Sequence, residues 1–129
     1  HRAKIKSHSN LENVLPYVCQ IGFLHEISRG KFMWTHEEIR QAAFSLIPQD
    51  MRGQFHLLIG SRLLIHTPEK ELHQTPASLF RILNHMNKGS ELIQTNEQRY
   101  DVARLNLMAG EACIKTSSFH SACDYFTRG

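Results

Sequence analysis

The sequence predicts a mainly α fold with one β-hairpin in its first third, followed by antiparallel helical hairpins. Two short runs, Phe23-Leu24-His25-Glu26-Ile27 and Lys31-Phe32-Met33-Trp34-Thr35, are rich in aromatic and aliphatic residues and flank Ser28-Arg29-Gly30. Gly30 can supply the positive φ of a hairpin turn. The character of the chain changes near Pro48: before it helical and strand patterns mix, and after it every pattern is helical. A chain of 129 residues with 41% hydrophobic content can bury one modest core or two small ones, which excludes a disordered segment.

In chain order, Asn10 or Asn13 can cap a short helix whose apolar residues Leu11, Val14, Leu15 and Val18 follow 3.6 periodicity, with Pro16 in its first turn or kinking it. After the hairpin, Thr35 and Glu38 have the spacing of a capping box. Ile39, Ala42, Ala43, Leu46 and Ile47 then form the apolar face of a helix over 36–47 that Pro48 closes. A helix, a hairpin and a second helix leaving the hairpin are the ingredients of the latter half of a winged-helix domain. Its earlier helices are missing or lie within residues 1–10. We therefore expect residues 1–48 to be the C-terminal part of a winged helix.

Residues 49–129 are expected to be a helical region. Gln49 to about His66 carries an apolar stripe of Met51, Phe55, Leu58, Ile59 and Leu63, widened by Leu57 and Leu64, and a polar loop follows over 67–75. Thr75 as N-cap and Pro76 at the first helical position open a helix bearing Leu79, Phe80, Leu83 and Met86, with Gly89 as its C-terminal cap. Another helix starts near Asn96 or Glu97 and runs through Val102, Leu105, Leu107 and Ala109; a last one spans Ser118 to about Phe126. These two fit a degenerate tetratricopeptide unit, with Gly110 and Ala122 at its small positions and Phe126 at its aromatic one. Asn106 stands where a large aromatic is usual, and Cys113 where a Tyr is. One repeat cannot bury its own faces, so the chain is expected to be part of something longer.

Fifteen Lys and Arg against twelve Asp and Glu give a net charge of +3, divided as +2 over residues 1–48 and +1 over 49–129. Such a balance disfavours a strongly basic nucleic-acid binder, and the 36–47 helix sets only Arg40 against Glu37 and Glu38. No run approaches the length of a membrane span and no signal peptide is evident, so a soluble, cytoplasmic chain is expected. Cys19, Cys113 and Cys123 have no CxxC spacing and apolar or small neighbours, which predicts three buried thiols. Nine histidines are many for this length, yet they form neither HExxH nor an i,i+4 pair, so no metal site is expected. GxxxxGK[ST], GxGxxG and GxSxG are all absent, and the segment is expected to have no catalytic activity. Glu37 and Glu38 read as helix-capping acids. His36, at the junction of hairpin and helix with Trp34 two residues before it, can present its ring where anions bind, or can serve as a surface or packing histidine.

The string Phe32-Met33-Trp34-Thr35-His36-Glu37-Glu38-Ile39-Arg40-Gln41-Ala42-Ala43-Phe44-Ser45-Leu46-Ile47-Pro48 resembles the signature aromatic-x-His-Asp-x-(Val/Ile)-Gln-x-Ala-Ala-Tyr-x-Leu-Ile-Pro. That signature belongs to large signal-transduction ATPases, of STAND or AAA type, found inside multidomain serine/threonine and hybrid histidine kinases. The likeness continues in order through Phe55-His56, Ile59-Gly60, Leu63-Leu64, the stretch Leu79 to Gly89, and Ala103-Arg104-Leu105-Asn106-Leu107-Met108-Ala109-Gly110, and closes at Ala122, Tyr125 and Gly129. It covers about residues 11–129.

The resemblance implies a place directly after the nucleotide-binding and helical domains of such a parent, whose ligands would be ADP or ATP with Mg. It implies that His36 contacts the β-phosphate of ADP and holds the closed state, with Glu37 in place of the usual Asp. ADP-to-ATP exchange would then free the winged helix to rotate. The partners so implied are the upstream nucleotide-binding domain, downstream helical repeats and other proteins, with neither nucleic acid nor membrane. A helical tetratricopeptide-like adaptor without nucleotide sensing is the alternative.

Overall fold

Helix α1 (Ser7–Gln20) begins the part of the chain that a computed structural model describes, residues 7–129. Asn10 and Asn13 lie within this helix, and Pro16 sits in its interior beyond the first turn, where its ring removes one N–H from the ladder. The side chain of Leu11 lies outside the described ones, as do residues 1–6, part of the 1–10 segment left open for the earlier winged-helix elements. The helix is closed at Gly22 (φ 84°), with Phe23 N–H donating to the Val18 carbonyl at 3.1 Å.

Strands β1 (Leu24–Ser28) and β2 (Lys31–Trp34) pair antiparallel as expected, Leu24 opposite Trp34 and Ser28 opposite Lys31. The register shifts between Glu26 and Ser28, so Ile27 is the bulged residue. Gly30 takes φ 75° at the turn, and its N–H donates to Glu26 Oε1 at 2.8 Å. Thr35 N–H donates to the Phe23 carbonyl at 3.0 Å, which ties Thr35 to the hairpin. Helix α2 (Glu37–Ser45) therefore starts one residue later than the capping box requires: His36 is the N-cap, and no side chain caps the helix. It also stops before Leu46 and Ile47, and Leu46 is 83% exposed.

Helices α3 (Gln49–His66), α4 (Glu69–Gln74), α5 (Pro76–Lys88), α6 (Asn96–Lys115) and α7 (Phe119–Arg128) follow, with a 3-10 turn at Ser90–Leu92. The described residues thus hold seven α-helices and one two-stranded hairpin, a mainly helical architecture. The chain divides into two compact units, residues 1–47 and 48–129. In the first, no described side chain is buried. The second holds the core: Leu72, Leu79, Ile82, Leu83, Met86, Ile93, Val102, Leu105 and Ala109.

Helix α5 is the centre of that core, packing on α3, α4 and α6. The face of α3 turned to it keeps only part of the expected stripe. Met51, Phe55, Leu58 and Ile59 are exposed, while Leu57, Leu63 and Leu64 pack on the core and Gly60 is buried. Glycine marks the buried side because the helices approach to backbone distance: a Cβ at Gly60 would lie 2.5 Å from Met86 Cγ and 3.0 Å from Met86 N. Gly89 ends α5 as expected, with φ −108°; its smallness is what matters, since a Cβ there would stand 2.5 Å from the Gly53 carbonyl oxygen.

Residues 67–75, expected as a loop, contain α4. Leu72 anchors it in the core, Ser78 Oγ donates to Glu71 Oε1 at 2.7 Å, and Arg104 donates to Glu69 Oε1 at 2.6 Å. Helix α6 runs on to Lys115, well past Ala109, and Thr95 caps it by accepting from Gln98 N–H at 3.2 Å. Gly110 faces Phe126, as the small-against-aromatic pairing of the last two helices requires; a Cβ there would meet the ring at 2.3 Å. Of the three thiols, Cys113 is buried, Cys19 is half-buried and Cys123 is exposed. Cys123 follows buried Ala122 by one residue, a rotation of about 100° around the helix, and so faces outward.

A polar contact joins α3 to α5. His56 and His85 stand Nδ1 to Nδ1 at 2.9 Å, so one ring donates and the other accepts. Protonating both rings would oppose two N–H groups. Burial lowers the pKa of each below the ordinary 6.5, and Lys88 adds to the effect on both. The unfolded chain therefore binds protons more readily, and the contribution of the pair is full above the unfolded value and lost as pH falls below it. We expect the denaturation midpoint to drop between about pH 7.5 and about pH 5.5, and His56→Gln/His85→Gln to flatten that slope. An unchanged slope in chemical denaturation would remove the pair from the pH response.

The glycine contacts give an ordered expectation for overpacking. Gly60→Leu should cost about 1–3 kcal/mol or more because α3 and α5 must separate, whereas Gly110→Leu should cost less because the Phe126 ring, 40% exposed, can swing outward. Thermal unfolding with the two losses in reverse order would contradict this packing.

Candidate functional site

The two sequence-predicted site residues meet at the start of α2. His36 is extended (φ −138°, ψ 145°), and its carbonyl accepts from Arg40 N–H at 3.3 Å. Its side chain is exposed and makes no capping hydrogen bond, and the residue itself stands at the positive end of a helix. Trp34, 37% exposed, stands two residues before it on β2. The hairpin positions this histidine: with Thr35 tied to Phe23, the chain turns into α2 at residue 36.

Glu37 is engaged elsewhere. Its carboxylate lies in the guanidinium fork of Arg40, which donates from Nε to Oε2 at 2.8 Å and from Nη2 to Oε1, and Gln41 Nε2 also donates to Oε1 at 3.2 Å. The Arg40 hydrogen bonds hold the Glu37 carboxyl down at about 2, so it stays ionised across the physiological range. It faces along its own helix toward residues 40 and 41. Arg40 and Gln41 stand in the motif string, but their bonding to Glu37 was not foreseen; their i,i+3 and i,i+4 spacing from it is the signal that finds the contact.

Chemically, this site offers an exposed imidazole beside a self-neutralised acid: it can donate to or accept from a group brought from outside. Among the described residues, no group of three or more His, Cys, Asp or Glu side chains is placed to hold a metal ion. No helix among them is long and apolar enough to cross a membrane. The described residues also include a polar cleft between α5 and α7, within the 48–129 unit, that motif reading did not find.

Compared with known proteins, the chain is 29% identical over 108 residues to a protein named hybrid signal transduction histidine kinase G from Dictyostelium discoideum. The alignment covers 74% of this chain, which spans only 3% of that relative's length. No protein-family model matches the chain, and no solved structure matches it significantly.

The fork predicts a titration. Arg40→Gln should raise the Glu37 midpoint from about 2 toward its ordinary value of 4.5, as followed by carboxyl NMR shifts. An unmoved midpoint would assign the shift to Gln41 and the helix N-terminus instead.

Proposed function

We propose that this chain is a non-catalytic regulatory segment of a multidomain signalling protein, in which the first unit docks against a nucleotide-binding domain and His36 reads its nucleotide. The observation that carries the reading is the state of that first unit. No described side chain in residues 13–47 is buried, yet Tyr17, Ile27, Met33 and Leu46 are each at least 50% exposed. An apolar surface of this kind, where none of the described side chains is enclosed, calls for a covering partner. His36 projects from the same unit with an uncommitted ring at a helix N-terminus, where a phosphate is favoured.

The likeness to a hybrid histidine kinase supports a signalling context, and the order of motifs from Trp34-Thr35-His36 to Gly110 supports a place beside a STAND- or AAA-type ATPase. In that arrangement residues 1–48 form the end of a winged helix, and residues 49–129 lead into tetratricopeptide-like repeats. Catalysis belongs to the parent ATPase and its linked kinase, in the cytoplasm, with ADP or ATP and Mg bound upstream. The Glu37–Arg40 fork leaves the phosphate contact to His36 alone.

A helical adaptor without nucleotide sensing is the second reading, and the α5–α7 cleft favours it. The two separate in a longer chain that includes the adjoining upstream region. Purified as wild type, it should carry ADP, and His36→Ala should lose most of it while folding normally by circular dichroism. Nucleotide in neither protein would favour the adaptor; equal nucleotide in both would return His36 to a structural role.

A further inference from the structure

The cleft between α5 and α7 has a volume of about 360 Å³, within the range of ligand sites. Asn87 and Lys88 line it from α5, and Asp124, Tyr125 and Arg128 from α7. Two of these side chains are fixed from behind. Asn87 forms a reciprocal amide pair with Asn106 of α6, each Nδ2 donating to the other's Oδ1 at 3.0 Å. Asn106 is 0% exposed and spends its second N–H on the Val102 carbonyl at 2.9 Å. The pair uses the Asn87 oxygen and one of its N–H groups, which leaves a second N–H as a donor at the cleft. The Tyr125 ring stacks on Phe80 with centroids 5.6 Å apart, and burial pushes its phenol up, so it keeps its proton.

The cleft is therefore rich in donors. Lys88 and Arg128 outweigh Asp124 by one positive charge, and Asp124 itself stands 3.9 Å from His120 Nε2. One excess positive charge matches a singly charged carboxylate better than a phosphate dianion, and the Arg128 fork suits carboxylate geometry. The open space exceeds a lone carboxylate several times, which suits a side chain arriving with its backbone.

We propose that the α5–α7 cleft binds a carboxylate side chain of an acidic polypeptide segment, with Arg128 and Lys88 as its charge partners, Asn87 as a neutral donor, and Asn106 as the positioning residue that aims Asn87. The inference rests on the 48–129 unit alone, so it stands or falls separately from nucleotide reading by His36. The amide pair, with Asn106 buried and Asn87 half-buried, has a reason under this assignment: two leucines could occupy the same positions, but only the amides set a fixed donor at the cleft.

The probe is a fluorescein-labelled octapeptide rich in Asp and Glu, with its Asn/Gln counterpart as control, measured by anisotropy on the 129-residue chain at low salt. The acidic peptide should bind and the amide peptide should not. Arg128→Ala and Lys88→Ala should each weaken binding about tenfold, the scale of one charge-assisted hydrogen bond, and Asp124→Asn should tighten it. Asn87→Leu/Asn106→Leu removes both partners together; it should keep the thermal midpoint near wild type and still weaken the acidic peptide severalfold. Absence of binding, binding indifferent to Arg128→Ala, weaker binding in Asp124→Asn, or wild-type affinity in the folded double variant would each overturn the assignment. Inorganic phosphate competing as well as free glutamate or better would also overturn it, by showing a general anion site.

Discussion

Contact between helix backbones at Gly60 and Met86 is the constraint on which the 48–129 unit depends. With no side chain at Gly60, α3 comes close enough to seal one flank of α5, and Leu57, Leu63 and Leu64 close over the core beside it. Helix α5 can then place Leu79, Ile82, Leu83 and Met86 in full burial and still reach α4 and α6. Each further neighbour adds a specific tie: Ser78 to Glu71, Asn87 to Asn106, Phe80 to Tyr125, His85 to His56. Apolar burial supplies the driving force, and these polar and aromatic pairs select one arrangement of the helices.

The first unit is built by a different logic. Its hairpin is held by backbone pairing, and α1 and α2 contribute half-buried residues such as Leu15, Val18, Ile39 and Phe44 without enclosing any described one. A surface of that sort gains free energy by being covered, and His36 stands on it with its ring exposed.

The elements whose cause is local were legible in the residues. The hairpin follows from Gly30 and its flanking aromatic runs, and α5 from Thr75-Pro76 at one end and Gly89 at the other. What was not legible has causes remote in sequence. His36 replaces Thr35 as N-cap because Phe23 holds Thr35 in the hairpin. The core face of α3 misleads an apolar count, since glycine does there what leucine does elsewhere, and a stripe of Met51, Phe55, Leu58 and Ile59 is left outside. With six residues, α4 shows a single buried apolar position, Leu72, too few to display a period. The cleft depends on Asn87 and Asn106, nineteen residues apart on different helices, and only the fold brings them together. Of the candidate site, the position of His36 was readable from its motif, while the diversion of Glu37 to Arg40 required the geometry of α2.

The 48–129 unit is closed around α5, whereas no described side chain of the first unit is buried. Native-state hydrogen exchange on the 129-residue chain tests this most directly. Amides of α5 and α6 should exchange only through unfolding of the whole 48–129 unit, while those of the hairpin and α2 should exchange by local opening at far lower free energy. Equal protection across residues 24–45 and 76–115 would contradict it, by showing that the first unit is as firmly closed as the second.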